Sequence, residues 1–477
     1  FAFTSSSDVG FGTSGTGGIS SFTAVNNGTA PITTTVTVTG TANGCPGPVQ
    51  VFTITVNPSP VVNAVASLSV CNGAPVSAIA FSSPTPGATF QYASSTNIGF
   101  GTSGVGSIPG FTAFNSGSTP ITSTISVFAS ANGCAGPAQS FSITVNPSPT
   151  VNSVANVTVC NGQTNPAIAF TSSTPGATFA FTSSSNVGFG TSGTTSIPSF
   201  TAVNNGTAPI TTTVTVTGTA NGCPGPVQVF TITVNPSPVV NAVANQVVCN
   251  GAPVSAIAFS SPTPGATFQY ASSTNIGFGT SGVGSIPGFT AFNSGSTPIT
   301  STISVFASAN GCAGPAQSFS ITVNPSPTVN SVANVTVCNG QTNPAIAFTS
   351  STPGATFAFT SSSDVGFGTS GTGGIPSFTA VNNGTAPITT TVTVTGTANG
   401  CPGPVQVFTI TVNPSPVVNA VANQVVCNGA PVSAIAFSSP TPGATFQYAS
   451  STNIGFGTSG VGSIPGFTAF NSGSTPI

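Results

Sequence analysis

The feature that most constrains this chain is one long internal repeat. The tetrapeptide Asn-Pro-Ser-Pro recurs at a constant spacing, beginning at Asn57, Asn146, Asn235, Asn324 and Asn413. A repeat of about 90 residues is one small domain, because the coils of solenoid proteins repeat every roughly 20–45 residues. We therefore predict that the chain is a row of similar domains, each with its own hydrophobic core.

The Asn-Pro-Ser-Pro segments also predict where the domains meet. They mark four complete repeats and two partial ones, at residues 60–148, 149–237, 238–326, 327–415, 1–59 and 416–477. Repeats of two kinds alternate, so that Phe179-Ala-Phe181 corresponds to Phe90-Gln-Tyr92. Two prolines at each boundary restrict the backbone, which predicts short, stiff connections and an extended rod. Because the chain begins and ends inside a repeat, we expect it to be a segment of a longer repetitive protein.

The near absence of charge excludes most chemistry. The chain has no Lys, Arg, His or Glu, and its only carboxylates are Asp8 and Asp364. A serine nucleophile would have no base, and nucleic-acid binding would have no cation to displace counterions. A calcium site needs six to eight oxygen ligands, and Asn186 replaces Asp8 in the equivalent repeat. We therefore expect no enzymatic activity, no cofactor and no metal, with Asp8 and Asp364 as solvated loop residues.

The hydrophobic pattern predicts strands. Residues 210–217 alternate, with Val214 and Val216 facing inward and the intervening threonines outward. Within repeat 149–237 we also predict strands at 151–159, 167–171, 178–183, 199–203 and 227–234, with Phe230, Ile232 and Val234 inward. Short alternating strands between Gly- and Pro-rich turns indicate an all-β, immunoglobulin-like sandwich. No apolar run reaches the roughly 18 residues of a membrane span.

Ten cysteines recur at two alternating spacings, a short one as from Cys45 to Cys71 and a long one as from Cys71 to Cys134. Such a fixed pattern predicts disulfides in a secreted chain, and no Cys-x-x-Cys pair suggests a zinc site. Two pairings remain open. Co-occurrence in every repeat favours Cys160 with Cys223, whereas an immunoglobulin topology would place those two at opposite ends and join Cys71 to Cys223 instead. We favour the pairing within repeats, which uses all cysteines except Cys45 and Cys427, namely Cys71, Cys134, Cys160, Cys223, Cys249, Cys312, Cys338 and Cys401.

Three motifs resemble a known class of repeats. They are Val159-Cys-Asn-Gly162, Ala220-Asn-Gly-Cys223 and Phe230-Thr-Ile-Thr-Val-Asn-Pro-Ser-Pro238. Together they resemble the PKD-like and Ig-like tandem repeats of giant secreted Bacteroidota surface proteins, some of which are gliding or attachment adhesins exported by the type IX system. The resemblance covers every repeat and implies an extracellular, cell-surface location. The tryptophan common in such domains is replaced here by Phe181 or Tyr92, and their carboxylates are missing.

Two functions follow as hypotheses. The first is a structural region of a giant extracellular fibre or adhesin stalk, which supplies reach and stiffness and associates with copies of itself into filaments. The alternative is an adhesive module that binds glycans or another surface through loops at one end of each domain. Exposed aromatic side chains such as Tyr92 or Phe189 would favour the alternative.

Overall fold

The computed structural model describes residues 1–477, and all of its regular elements are β-strands. The predicted all-β fold is therefore confirmed. The chain forms two compact units, one comprising Phe1–Ser237 with Asn310–Cys312 and the other Pro238–Ala309 with Ala313–Ile477. No helix long and apolar enough to cross a membrane is present.

Repeat 149–237, in the first unit, shows how each complete repeat is built. Its strands are Val157–Cys160, Thr164–Asn165, Ile168–Ala169, Thr178–Ser183, Ser192–Thr194, Ser196–Ile197, Phe200–Thr201, Ile210–Ala220 and Cys223–Asn235. We refer to Val157–Cys160 as the first strand, to Ile210–Ala220 as the penultimate strand and to Cys223–Asn235 as the last strand, and use the same names for their equivalents in other repeats.

The main sheet of this repeat has five strands. The last strand lies between the first and penultimate strands, and Thr178–Ser183 and Ser192–Thr194 complete the other side. The penultimate and last strands form a long antiparallel hairpin. The first strand runs parallel to the last, with Val157 opposite Ile232 and Cys160 opposite Asn235. The first strand therefore ends beside the end of the last strand.

Short antiparallel pairs form the second layer. Thr164–Asn165 pairs with Phe200–Thr201, and Ile168–Ala169 pairs with Ser196–Ile197. Phe170, Ile197 and Phe200 from this layer pack against the main sheet in one buried cluster. The main sheet contributes the inward residues that the sequence predicted, Val214, Val216, Phe230, Ile232 and Val234, each at most 2% exposed. The predicted β-sandwich is confirmed.

The predicted strands differ from the structure in two places. The first strand covers only Val157–Cys160, and Val151 near the predicted start makes an isolated bridge to Ser172. A further strand lies at Ser192–Thr194, in a glycine-rich segment where no strand was predicted. There Gly193 faces Phe181, and a Cβ on Gly193 would lie 2.6 Å from the Phe181 ring. The glycine makes room for the ring, which is why the segment pairs despite its composition.

The remaining strands of the first unit follow the same order. Residues 1–59 contain Ala2–Ser5, Ser14–Thr16, Ile32–Thr39, Thr41–Ala42, Cys45–Pro46 and Gln50–Val56. Residues 60–148 contain Leu68–Cys71, Pro75–Val76, Thr89–Ser94, Ser103–Val105, Phe111–Thr112, Ile121–Ala131, Cys134–Ala135 and Gln139–Asn146.

The later repeats have the same plan. Residues 238–326 contain Gln246–Cys249, Pro253–Val254, Thr267–Ser272, Ser281–Val283, Phe289–Thr290, Ile299–Ala309, Cys312–Ala313 and Gln317–Asn324. Residues 327–415 contain Val335–Cys338, Thr342–Asn343, Thr356–Ser361, Ser370–Thr372, Phe378–Thr379, Ile388–Ala398 and Cys401–Asn413, and residues 416–477 contain Pro431–Val432, Gln447–Ala449, Ser459–Val461 and Phe467–Thr468.

Candidate functional site: the disulfide-bonded joints

The cysteines lie where one repeat follows another. We use the word joint for three segments taken together. They are the turn after a first strand, the Asn-Pro-Ser-Pro tetrapeptide at the end of the same repeat, and the last hairpin of the next repeat. Cys71 is bonded to Cys223 across one joint, with Cα atoms 5.4 Å apart. The same arrangement bonds Cys160 to Cys312 in the first compact unit and Cys249 to Cys401 in the second, each at a sequence separation of 152 residues.

This pairing corrects the one favoured from sequence, in which each bond stayed within a repeat. The physical reason is the parallel pairing of first and last strands. Because Cys160 lies opposite Asn235, it sits at the end of its repeat that leads into the next. Cys223 instead begins the last strand, at the opposite end of the same repeat. The two ends of a 13-residue strand are about 40 Å apart, far beyond the reach of one disulfide.

Four cysteines are unpaired. Cys45, Cys338 and Cys427 are exposed and Cys134 is partly exposed. A partner 152 residues before Cys45 or Cys134, or after Cys338 or Cys427, would fall outside residues 1–477. Cys134 and Cys338 are therefore not bonded to Cys71 and Cys401, as the pairing within repeats required.

The last hairpin is shaped by an Asn-Gly turn. Asn221 and Gly222 have φ angles of 49° and 78°, and Ala220 pairs with Cys223 across this two-residue turn. Asn-Gly is the sequence that such a tight, right-twisted hairpin favours, because both residues need positive φ. The turn places Cys223 at the tip of the hairpin, where it is 1% exposed. Cys312 and Cys401, which follow the same turn, are buried to the same extent.

A glycine lets the hairpin approach the start of its own repeat. A Cβ on Gly225 would overlap the carbonyl oxygen of Pro149, and the same holds for Gly403 and Pro327. Since only glycine lacks a Cβ, the Cys-x-Gly sequence after the turn allows the hairpin to pack directly against the entering chain.

The Asn-Pro-Ser-Pro tetrapeptide makes hydrogen bonds in both directions. The side-chain amide of Asn235 donates a hydrogen bond to the backbone carbonyl of Asn310 in the next hairpin over 3.0 Å. The backbone carbonyl of Asn235 accepts a hydrogen bond from the N–H of Asn161 over 2.8 Å. The Ser237 hydroxyl donates to the carbonyl of Asn161 over 3.4 Å. The tetrapeptide therefore fixes both turns that carry the bonded cysteines. Sequence reasoning treated it only as a stiff linker and missed these bonds, although its recurring Asn and Ser were the available signal.

The carboxylates shape loops within repeats. Asp364 Oδ1 accepts hydrogen bonds from the N–H groups of Gly366 and Gly368, both at 2.8 Å. These bonds hold the pKa of the Asp364 carboxyl below its ordinary value. Asn186 occupies the equivalent position in repeat 149–237 and accepts the same two hydrogen bonds at 2.9 Å. The loop therefore needs an oxygen acceptor and not a charge. No three His, Cys, Asp or Glu side chains lie close enough to bind a metal ion.

The aromatic residues proposed for surface binding belong to the core. Tyr92 is 6% exposed and packs against Phe81 and Phe100. Phe189 is partly buried and packs between Phe181 and Phe200, with ring centroids 6.0 and 4.9 Å away. The expectation that these rings are exposed was therefore wrong.

Comparison with solved structures gives matches at low identity. The chain is similar to protocadherin gamma B2 extracellular cadherin domains 3–6, with 15% identity over 75% of this chain and 99% of that chain and a TM-score of 0.27. It is also similar to Drosophila N-cadherin EC1-4, with 12% identity over 74% and 100% of the chains and a TM-score of 0.26. Sidekick-1 immunoglobulin domains 1–5 match with 11% identity over 80% and 86% and a TM-score of 0.25. No protein-family model and no curated protein sequence matches the chain. The fold assignment rests on the strand pairing and core of this chain itself.

Proposed function

We propose that this chain is a structural repeat region of an extracellular fibre or cell-surface adhesin stalk, with each repeat acting as one domain. The observation that carries the proposal is the joint. Three successive joints are cross-linked in the same way, by Cys71–Cys223, Cys160–Cys312 and Cys249–Cys401. A row of domains that is bonded at each successive joint is suited to holding two points apart.

The chemistry of the cross-links supports an extracellular location. Disulfides persist in oxidising compartments and are rare where thiols are kept reduced. Secretion by the type IX system of a Bacteroidota cell is part of the same proposal, and it rests on the resemblance of the cysteine and Asn-Pro-Ser-Pro motifs. Antibody labelling of intact source cells, compared with permeabilised cells, tests the location. Labelling that appears only after permeabilisation would rule out a surface stalk.

A stalk must be much longer than it is wide, which scattering measures directly. A 13-residue strand is about 40 Å long, so five repeats end to end give about 200 Å and a radius of gyration of about 60 Å. A compact globule of the same length has a radius of gyration of about 23 Å. We expect small-angle X-ray scattering of the full chain to give the larger value. A value near that of the globule would contradict the proposal.

Exposed apolar residues on an uncharged sheet face support association between copies. Val227 and Val229 are 59% and 49% exposed, and Val405 and Val407 are 60% and 48% exposed. Copies that carry almost no charge have little long-range repulsion to keep such faces apart. Sedimentation velocity should show assemblies that grow with concentration. Replacing Val229 and Val407 with Lys should dissolve them, whereas Thr213→Ser with Thr391→Ser, on the same faces, should not.

A further inference from the structure

When the chain is pulled at its two ends, the pattern of disulfides allows the force to bypass most of its residues. We call the covalent route that bears this force the load path. Cys223 and Cys249 are close in sequence, yet each is bonded across 152 residues, to Cys71 and Cys401 respectively. The shortest covalent route from residue 71 to residue 401 therefore crosses one disulfide, follows the chain from residue 223 to residue 249 and crosses a second disulfide. The two loops, each closed across a sequence separation of 152 residues, lie off this route.

The segment 223–249 is made of the strands that run through a repeat. It begins with the last strand Cys223–Asn235, passes through the Asn-Pro-Ser-Pro tetrapeptide, and ends with the first strand Gln246–Cys249. A fully extended chain spans at most about 3.3–3.6 Å per residue, which limits this segment to roughly 90 Å. Since its strand residues are already extended, pulling on it can lengthen it little.

A second route has the same construction, offset by one repeat. Cys160 is bonded to Cys312, and the segments 134–160 and 312–338 again pair a last strand with the first strand of the next repeat. The two routes share no residue. In repeat 149–237 the first strand belongs to the second route and the last strand belongs to the first.

The two routes lie side by side and are hydrogen-bonded. Val157–Cys160 pairs in parallel with Ile232–Asn235, and Gln246–Cys249 pairs in parallel with Ile321–Asn324. A difference in tension between two such strands acts along their length, so it loads the hydrogen bonds between them together in shear and not one after another. Force can therefore be shared between the routes within each repeat.

We propose that the joints make this chain a covalently limited, two-route tether, in which first and last strands bear tension and the rest of each repeat is shielded from it. This inference rests on the proposed function as a stalk and gives that function a mechanical limit. In each pair of repeats a segment equivalent to 223–249 bears the load, while a loop with a sequence separation of 152 residues is closed off from it. After the disulfides are reduced, only the length of the whole chain limits how far the molecule can be stretched.

Single-molecule pulling of the full chain, with thiol-free handles at both termini, tests the inference. Reduction with a dithiol converts each disulfide to two thiols, and the dithiol is itself oxidised to a cyclic disulfide. We expect reduction to lengthen the fully stretched chain by the two loops of 152 residues each, or roughly 1,060 Å. Pairing within repeats would release four shorter loops, each equivalent to the stretch from Cys71 to Cys134 and together worth roughly 880 Å. That smaller lengthening would overturn the proposal.

Two matched double variants sharpen the test. In Cys71→Ser with Cys223→Ser, the shortest route from residue 71 to residue 401 must follow the chain to Cys160, cross to Cys312, return to Cys249 and cross to Cys401. This detour adds roughly 440 Å to the oxidised limit. Cys160→Ser with Cys312→Ser should leave the oxidised limit unchanged, because the first route stays intact. Lengthening of this second variant, or no lengthening of the first, would contradict the inference.

This readout is independent of the stalk proposal. The fully stretched length depends on covalent bonds alone and does not require the variants to remain folded. A correct length limit in a chain that scattering shows to be compact would refute the stalk and leave the load path intact. An extended chain whose oxidised, fully stretched length is unchanged by Cys71→Ser with Cys223→Ser would refute the load path only.

Discussion

The side-chain amide of Asn235 donates a hydrogen bond to the carbonyl oxygen of Asn310, 75 residues further along the chain, over 3.0 Å. Asn57 and Asn324 make the same bond to Asn132 and Asn399, over 3.0 and 3.2 Å. Asn146 differs, because its amide donates to the hydroxyl of Ser69 instead. The equivalent of Ser69 is Val247 in repeat 238–326, which offers no such acceptor.

Removing this amide should loosen the next hairpin. Asn235 is 6% exposed, so Asn235→Ala deletes a largely buried hydrogen bond worth about 0.5–1.5 kcal/mol. We expect faster amide hydrogen exchange at Asn310 and Gly311, measured by mass spectrometry of peptides from this hairpin. Asn146→Ala is the matched control, because the Asn146 amide bonds within its own repeat and its loss should leave the hairpin at Asn221 unchanged.

A buried hydroxyl should matter more than a methyl group in the penultimate strand. Thr212 is fully buried, and its Oγ1 both accepts from the N–H of Ser185 and donates to the carbonyl of Ser185, each over 3.0 Å. Thr212→Val keeps the shape and leaves these two backbone groups unpaired, which should destabilise the repeat by about 1–3 kcal/mol.

Thr212→Ser is the control for that variant, since Ser123 occupies the equivalent buried position in repeat 60–148 and donates to the carbonyl of Thr96. Calorimetry should show a lowered transition for Thr212→Val and a smaller change for Thr212→Ser. Equal losses in the two variants would show that the hydroxyl stabilises the strand no more than the methyl group does, which would contradict the prediction.

Acid should weaken only the repeats that carry Asp. The N–H groups of Gly366 and Gly368 lower the pKa of Asp364 in the folded chain. A carboxyl with a lowered folded pKa adds stability above its unfolded pKa of about 3.9, and this stability is lost as pH falls through the folded pKa. Thermal stability should therefore be flat between about pH 5 and 7 and fall below about pH 4.

Asp364→Asn removes the titrating group and keeps the acceptor, as Asn186 does naturally. The variant should lose the acid-induced destabilisation of its repeat, as followed by melts between pH 2 and 7. A midpoint that shifts between pH 5 and 7 in either protein would show that another group titrates with folding.

Reductant should destabilise the chain far more than salt does. The chain has no Lys, Arg or His, so salt has no side-chain ion pair to screen. Each disulfide closes a long loop, and losing one typically costs about 2–5 kcal/mol. Thermal melts with and without a dithiol, at low and high salt, should separate the two effects. Midpoints that follow salt and ignore reductant would contradict the disulfide-bonded joints.

The sequence predicted the core well and the joints poorly. Val214, Val216 and Phe230 were assigned correctly because one buried sheet face imposes a strict two-residue period. The short first strand was overextended, because nothing in residues 151–156 reveals that they pair only through the isolated bridge between Val151 and Ser172. The cysteine pairing depended on which strands run parallel, since Cys160 is placed by its partner Asn235 in the last strand. Local sequence does not carry that long-range information.

Each complete repeat carries one cysteine directed toward the preceding repeat and one directed toward the following repeat. This polarity has a genetic consequence. Recombination between the nearly identical copies can insert or delete whole repeats, and every interior cysteine still finds a neighbour of the right kind, always 152 residues away. Bonds confined to fixed pairs of unlike repeats would not tolerate such changes. A gene of this design can change the number of its repeats between generations without creating a mismatched cysteine in its interior.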